Sequence, residues 1–547
     1  MNRVASSLQD SESHYHSFRD PLLDMRFMPG GRIQAAMGST RDVTPYNCFV
    51  SQTIQDSFTA GQSSIMECAT RAAETMRRGG GIGYDFSTLR PRGALIRKLQ
   101  SSSTGPVSFM AIYDAICKCV SSSGHRRGAQ MGVLRVDHPD IEEFIHAKRE
   151  RGKLEGFNIS VAITDEFMLA VEAGNKFELR FEGHVYKTID ARALWETIMR
   201  SCWDWAEPGV IFIDTINRMN NLAYCERIAA TNPCGEQPLP PDGACLLGSF
   251  NLTRYLKDVP TQVGGPGNAA LEFDYDQLVE DIPHVVRAMD NVIDRSEYPL
   301  YEQEQEAKTK RRMGLGVTGV ANAIEAMGFP YGTHDFCNRL EGILRIIADR
   351  VYHASIDLAE EKGPFPAYGP EYLRSEFLAD PAFDKIRNRI QYHGIRNSHL
   401  LSIAPTGTIS VCADNISSGI EPVFAYSTDR AYIGPEGPET IELPDYGVEV
   451  LGVRGRRAHE VTIAEHLAVL LVASKWVDSA VSKTTNVDAT VPWDDFKDLY
   501  LNAWRGGAKG CTVYNIDGKR NAVLTSKDDD DDASCRLDPI TGRQDCD

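Results

Sequence analysis

Residues 232–236 read Asn-Pro-Cys-Gly-Glu, which gathers an amide, a thiol and a carboxylate into one short run. A second cysteine, Cys245, follows in Gly-Ala-Cys-Leu-Leu at 243–247. In an extended backbone, residues two apart point the same way. Asn232, Cys234 and Glu236 are therefore expected to share one face. Pro233 stiffens the intervening chain, and Gly235 lets it approach a ligand closely. A carboxylate beside a thiol takes a proton from substrate while the sulfur does nucleophilic or one-electron chemistry. Taken alone, the pentapeptide also reads as a Pro/Gly turn with an incidental cysteine.

A second run with chemical content is Pro405, Thr406, Gly407, Thr408 and Ile409, directly after the apolar residues 400–403. Small residues let backbone N–H groups approach an anion, and the hydroxyls add donors. A turn of this kind that opens a helix makes a phosphate site.

These runs need a scaffold, and the chain is long enough to supply one. Its 547 residues can bury a large core in one big catalytic unit with appendages. Helical stretches at 64–78 and 107–121 alternate with Gly-rich turns. Farther on, strand-like apolar runs at 209–213 and 400–403 recur between helical segments. That alternation predicts an α/β architecture. Residues 1–25 read as a polar lead-in. Beyond residue 526 the run Asp528 to Asp532 predicts an extended, mobile acidic tail.

Composition narrows the function classes. Hydrophobic residues make up 42% of the chain with no long apolar run, so no membrane span is expected. The first residues hold no apolar core of a signal peptide, which predicts a cytoplasmic protein. Thirteen scattered cysteines suit a reducing compartment with a few functional thiols. No Cys-x-x-Cys pair suggests a zinc scaffold. A net charge of −18 argues against direct DNA binding through a basic surface.

The region 232–252 (NPCGEQPLPPDGACLLGSFNL) closely resembles the finger-loop segment of ribonucleotide reductase large subunits, most of all the adenosylcobalamin-dependent class II branch. Further family segments follow in order: 26–50 (RFMPGGRIQAAMGSTRDVTPYNCFV), 79–91 (GGGIGYDFSTLRP), 105–110 (GPVSFM), 126–148 and 158–168. Then come 311–319 (RRMGLGVTG), 396–424 with APTGTIS, and 510–520 (GCTVYNIDGKR). The resemblance implies a ten-stranded α/β barrel with a central finger loop carrying the radical cysteine, preceded by a short, mainly helical region. On that basis residues 26–170 hold effector and dimer loops and the barrel entry, and 171–525 the catalytic barrel.

By the same resemblance, Cys234 is the thiyl-radical cysteine that takes the 3′ hydrogen atom of the ribose. Glu236 is the base for the 3′-hydroxyl, and Asn232 orients the substrate hydroxyls. Cys48 and Cys245 are the reducing pair that ends as a disulfide. Residues 405–409 become the substrate phosphate cradle. Arg126 and Arg127 lie in a segment resembling the loop that links effector to substrate base, and Asp56 matches an effector-ribose carboxylate. Cys535 and Cys546 resemble the tail pair that carries electrons to the buried disulfide.

The implied cofactor is adenosylcobalamin. The oxygen-dependent branch relays its radical through two adjacent tyrosines, whereas the run at 512–515 has only Tyr514. A large subunit of that branch, with a separate metal-containing radical subunit, is the alternative. The implied partners are a ribonucleotide substrate, a dNTP or ATP effector, a thioredoxin- or glutaredoxin-like reductant and a second copy of the chain. The family's ATP-cone has no counterpart ahead of residue 26, so no overall activity switch is expected.

Overall fold

Parallel strands buried on both faces read as near-continuous apolar runs, and the strand Phe157–Ile163 (FNISVAI) is buried at every position but Asn158. It lies at the centre of an eight-stranded sheet in the computed structural model. The order is Ala244–Cys245, Cys48–Val50, Gly81–Asp85, Gln130–Arg135, Phe157–Ile163, Gly209–Phe212, Gly510–Asn515 and Thr484–Val487. The five strands from Cys48–Val50 to Gly209–Phe212 run parallel. Ala244–Cys245 and Gly510–Asn515 join this group antiparallel on its two sides. Thr484–Val487 pairs parallel with Gly510–Asn515.

The structure describes residues 1–547 except 98, 123–125, 128, 151, 261–268, 435–436, 516–517, 520–534, 538–543 and 547. At 121–122, 126–127, 260, 269, 430–434, 437–438, 535–537 and 544–546 it describes the backbone alone.

A three-stranded sheet orders Phe27–Pro29, Leu247–Asn251 and Gly314–Thr318. Only Leu246 separates Leu247–Asn251 from Ala244–Cys245, so one chain segment serves both sheets. The apolar residues 400–403, expected to be a strand, form no named strand but make two parallel bridges. Leu401 bridges Leu315, and Ile403 bridges Val481. The architecture is mixed α/β, as the alternation predicts. Four strands of the large sheet come from before residue 170, so it spans both stretches into which the sequence divides there.

Helices cover the sheets. The stretch expected at 64–78 forms the helix Ile65–Arg77, opened by Ser64 Oγ accepting from Glu67 N at 3.3 Å. The stretch at 107–121 forms Pro106–Cys119, with proline in the first turn where its missing N–H costs nothing. The polar residues 1–25 fold into Asn2–Leu8 and Glu12–Leu23, which bury Val4, Leu8, Phe18 and Leu22. Between these helices, Asp10 forms ion pairs with Arg287, Arg295 and Lys362.

One buried charge group ties helix Tyr275–Arg295 to the segments that lead into Gly314–Thr318 and into the run at 400–403. Asp290 Oδ1 accepts from Arg311 Nη2 at 2.8 Å and Asn397 Nδ2 at 2.9 Å, while Oδ2 accepts from Arg396 Nε at 3.2 Å. Removing one partner of such a buried pair costs about 3–5 kcal/mol. This gives the motif residues Arg311 and Asn397 a structural role.

Candidate active site

The run 232–236 is not the extended segment expected from the sequence. Ala230–Thr231 pairs antiparallel with Pro238–Leu239, and the residues between them form a hairpin loop. Gly235 N donates to Asn232 O at 3.1 Å, and Asn232 N donates to Gln237 O at 3.1 Å. Pro233 takes the second position of the turn, which its fixed φ favours. Gly235 has φ +80°, a conformation that costs an L side chain energy even though the space beside it is open. A turn separates the side chains that an extended chain would align. Cys234 is exposed at the tip, while Asn232 and Glu236 are buried on its flanks.

The hairpin is held on both sides. Asn158 Nδ2 donates to Pro233 O at 2.9 Å. Ser402 Oγ, at 2.9 Å, and Ala480 N, at 3.0 Å, donate to Glu236 O. The surrounding strands carry glycine where the loop passes. A Cβ on Gly83 would lie 1.9 Å from Thr231 O, and one on Gly314 would lie 2.4 Å from Gln237 Nε2.

The two remaining cysteines meet beside this loop. Cys48 and Cys245 are direct partners in the antiparallel pairing of Cys48–Val50 with Ala244–Cys245. Cys48 Sγ and Pro233 Cγ both abut Gly81, at 3.2 and 3.1 Å from where its Cβ would stand. Burial pushes the Cys245 thiol well above its usual pKa, and the nearby charges of Glu236, Cys48 and Cys234 add to that. Cys245 is therefore held as a protonated thiol at neutral pH.

Burial also raises the Glu236 carboxyl, to about 7, against the opposing pull of the Asn232 amide and a backbone N–H. A carboxyl titrating there exchanges protons with substrate at physiological pH. Glu236 Oε2 and Asn232 Nδ2 are buried without a protein hydrogen-bond partner at normal distance. Each such group costs about 1–3 kcal/mol until satisfied. The hydroxyls of a sugar complement both.

Cys234 opens onto a cavity of about 290 Å³. Asn158, Ser160, Pro405, Ser482, Thr484 and Thr512 are among its lining residues. A larger cavity of about 570 Å³, between helices Ile463–Lys475 and Trp493–Arg505, includes Glu460, Asp488, Asp495 and Asp498 in its lining and none of the cysteines. Its acidic lining disfavours an anionic ligand.

Pro405 joins the Cys234 cavity to the expected phosphate turn. Thr406 has φ +56° and caps the helix Gly407–Cys412, so the turn does open a helix. Thr406 Oγ1 lies 2.9 Å from Thr318 Oγ1 and 3.0 Å from Ser410 Oγ, and accepts from Gly419 N at 2.7 Å. Gly407 and Thr408 are exposed, and Ile409 is buried beneath them. The first-turn N–H groups of a helix have no partner within it.

A family model described as the ribonucleotide reductase barrel domain matches residues 46–442 and 456–514. The chain belongs to the ribonucleotide reductase family. Curated relatives from Mycobacterium tuberculosis and Thermoplasma acidophilum are named vitamin B12-dependent ribonucleoside-diphosphate reductase. The one from Mycobacterium tuberculosis is 36% identical over 96% of this chain and 77% of its own length. The one from Thermoplasma acidophilum is 33% identical, over 94% of this chain and 67% of its own length. A Streptomyces coelicolor protein named vitamin B12-dependent ribonucleotide reductase is 26% identical, over 96% of this chain and 62% of its own length.

Asp56 Oδ2 accepts from Arg90 Nε at 2.6 Å, an ion pair on the loop after Cys48–Val50. Arg126–Arg127 form a backbone ribbon with Ser121–Ser122, and their side chains lie outside the described residues. Cys535 faces Cys546 in the backbone pairing of Cys535–Leu537 with Gln544–Cys546, and their side chains also lie outside the description. Tyr514 is half-buried on Gly510–Asn515. Nothing in the motifs assigns a role to the anchors Asn158, Ser402 and Gln237. Their available signal was the glycine spacing in the reductase segments 79–91 and 311–319, which marks strands with another chain pressed against them.

Proposed function

We propose that this chain reduces ribonucleotides to 2′-deoxyribonucleotides by thiyl-radical chemistry with adenosylcobalamin, and that its substrate is a ribonucleoside diphosphate. The observation that carries this is the cross-strand pair Cys48–Cys245, set beside a hairpin that exposes Cys234 and buries Glu236. The names of the relatives favour cobalamin over an oxygen-dependent radical subunit.

The donor set beside Cys234 suits the cofactor's nucleoside portion. The cavity there is near the small end of ligand sites, and its hydroxyl and amide groups match a deoxyadenosyl moiety. Ser160, Ser482, Thr484 and Thr512 would hold that moiety. When bound, adenosylcobalamin supplies the one-electron oxidation that makes Cys234 a thiyl radical.

The chain's own residues do the remaining work. Cys234 sulfur takes the 3′ hydrogen, breaking C–H and forming S–H. Glu236 takes the 3′-hydroxyl proton, and Asn232 orients the two hydroxyls. The Cys48–Cys245 pair protonates the departing 2′-hydroxyl, which leaves as water. The pair gives two electrons and two hydrogens in all and closes as a disulfide. Cys234 then returns its hydrogen to C3′.

Other parts of the reading rest on the resemblance. Ten strands close into a barrel around the hairpin, a reading supported by the bridges of Leu401 and Ile403 and by Gly314 N donating to Leu246 O at 2.7 Å. Residues 405–409 cradle the substrate phosphate. Arg126, Arg127 and Asp56 serve a dNTP or ATP effector in a homodimer. Cys535 and Cys546 carry electrons from a thioredoxin- or glutaredoxin-like reductant, in the cytoplasm. No described helix is long and apolar enough to cross a membrane.

Replacing Cys234 with alanine tests the assignment. Turnover should vanish while nucleotide binding, measured by equilibrium dialysis, persists. Retained turnover would remove Cys234 from the mechanism.

A further inference from the structure

Residues 443–455 fall between the two blocks that match the family, yet hydrogen bonds connect them to the turn at 405–410. The connection starts at Asp445, which is 4% exposed and follows the hairpin strand Gly437–Pro444. Its Oδ1 accepts from Gly447 N at 2.9 Å and Val448 N at 3.3 Å, capping the helix Tyr446–Glu449. Its two oxygens also accept from Asn322 Nδ2 at 3.1 and 3.2 Å.

The other end of the Asn322 amide points toward the turn. Asn322 Oδ1 accepts from Ser417 N at 2.6 Å. Ser417 O in turn accepts from Gly319 N at 2.8 Å and from Thr318 Oγ1 at 3.3 Å. Thr318 Oγ1 also lies 2.9 Å from Thr406 Oγ1 and 3.1 Å from Ser410 Oγ, and Ser410 Oγ donates to Thr406 O at 3.0 Å, so the three hydroxyls form one cluster. Tyr446 packs with Ile409, Ala413 and Ile416 beneath the same short helix.

Chemistry fixes the sense of this chain. An ionised carboxylate only accepts, so Asn322 must turn its NH₂ to Asp445 and its oxygen to the Ser417 N–H. Burial raises the Asp445 carboxyl to about 6, held down by Asn322 and the two backbone N–H groups, so it is ionised at neutral pH. The neighbouring charges are Glu325, on the helix that carries Asn322, and Arg254, which stands over the Tyr446 ring at 5.6 Å. An amide at position 445 would bring two NH₂ groups together. Flipping Asn322 in response would set its NH₂ against the Ser417 N–H.

We propose that Asp445 is a positioning residue for substrate phosphate. Through Asn322, Ser417 and Thr318 it holds the side chains of Thr406 and Ser410 in place in the turn at 405–410. The proposal rests on the reading that this turn takes the substrate's phosphate.

The test is steady-state reduction of a ribonucleoside diphosphate by the adenosylcobalamin-loaded full chain. Asp445→Asn should raise KM about tenfold and leave kcat within twofold. The exchanged pair Asn322→Asp with Asp445→Asn reverses the hydrogen bond between the two side chains, leaves the backbone N–H groups of Ser417, Gly447 and Val448 donating to an oxygen as before, and should return KM to the wild-type value. Thr408→Val, which removes an exposed hydroxyl of the turn itself, should also raise KM. If Thr408→Val raises KM and Asp445→Asn does not, the positioning role is refuted. A fall in kcat at constant KM in Asp445→Asn refutes it too. If Thr408→Val has no effect, the phosphate reading fails and takes the proposal with it. Should Asp445→Asn lose its native circular dichroism, the exchanged pair decides. Recovery of KM supports the proposal, and a folded pair without recovery overturns it.

Discussion

Replacing Glu236 with glutamine should make the protein more stable above pH 7 while abolishing its activity. Burial raises this carboxyl from 4.5 to about 7. At about 1.36 kcal/mol per pKa unit, holding the ionised form in the fold costs on the order of 3 kcal/mol. The sign follows from proton counting. Between pH 4.5 and 7 the unfolded chain has lost the proton and the folded chain keeps it, so stability falls as pH rises. Below pH 4.5 both states are protonated and the cost is absent; above about 7 it is fully present. The Glu236→Gln variant cannot ionise. Its advantage over wild type in urea unfolding should grow from pH 4.5 to 8 by about 3 kcal/mol and level off there. Over the same range, wild-type turnover should rise with an apparent pKa of about 7, and the variant should show none. A stability difference independent of pH would refute the raised carboxyl, and full activity in the variant would remove its role as a base.

Substrate added to the adenosylcobalamin-loaded chain without external reductant should convert the thiols of Cys48 and Cys245 into one disulfide, seen by peptide mass mapping as the loss of two hydrogens. Cys48→Ser and Cys245→Ser should each prevent both the disulfide and repeated turnover. Gly83→Ala places a Cβ where Thr231 O stands, at 1.9 Å. It should lower kcat at least a hundredfold by displacing the Cys234 hairpin, with a smaller change in overall stability measured by urea unfolding.

The chemistry of the site was legible in the sequence more fully than its shape. Asn232, Cys234, Glu236 and Cys245 stand in one short stretch, and the resemblance of that stretch to the reductase finger loop, not the residue types alone, implies the reaction class. The alternation argument failed locally because Gly235 adopts a positive φ and closes a turn, which puts Cys234 outside and its neighbours inside. The helices at 64–78 and 107–121 emerged with small boundary shifts, since caps and apolar spacing are local signals. Register is not local. That Cys48 pairs with Cys245 depends on the turn geometry around Gly243 and on the sheet that receives both strands. The run at 400–403 joins its neighbours by single bridges, a distinction apolar content cannot make. The roles of Asn158 and Ser402 arise from contact with a distant hairpin and leave no periodic trace.

The central claim is cobalamin-dependent ribonucleotide reduction at Cys234. Its most direct test is anaerobic turnover of a ribonucleoside diphosphate by the purified chain with dithiothreitol, with and without adenosylcobalamin. The account predicts deoxyribonucleotide only when the cofactor is present, and none from Cys234→Ala under the same conditions. Turnover that ignores the cofactor and appears on adding a separate metal-containing subunit would contradict it.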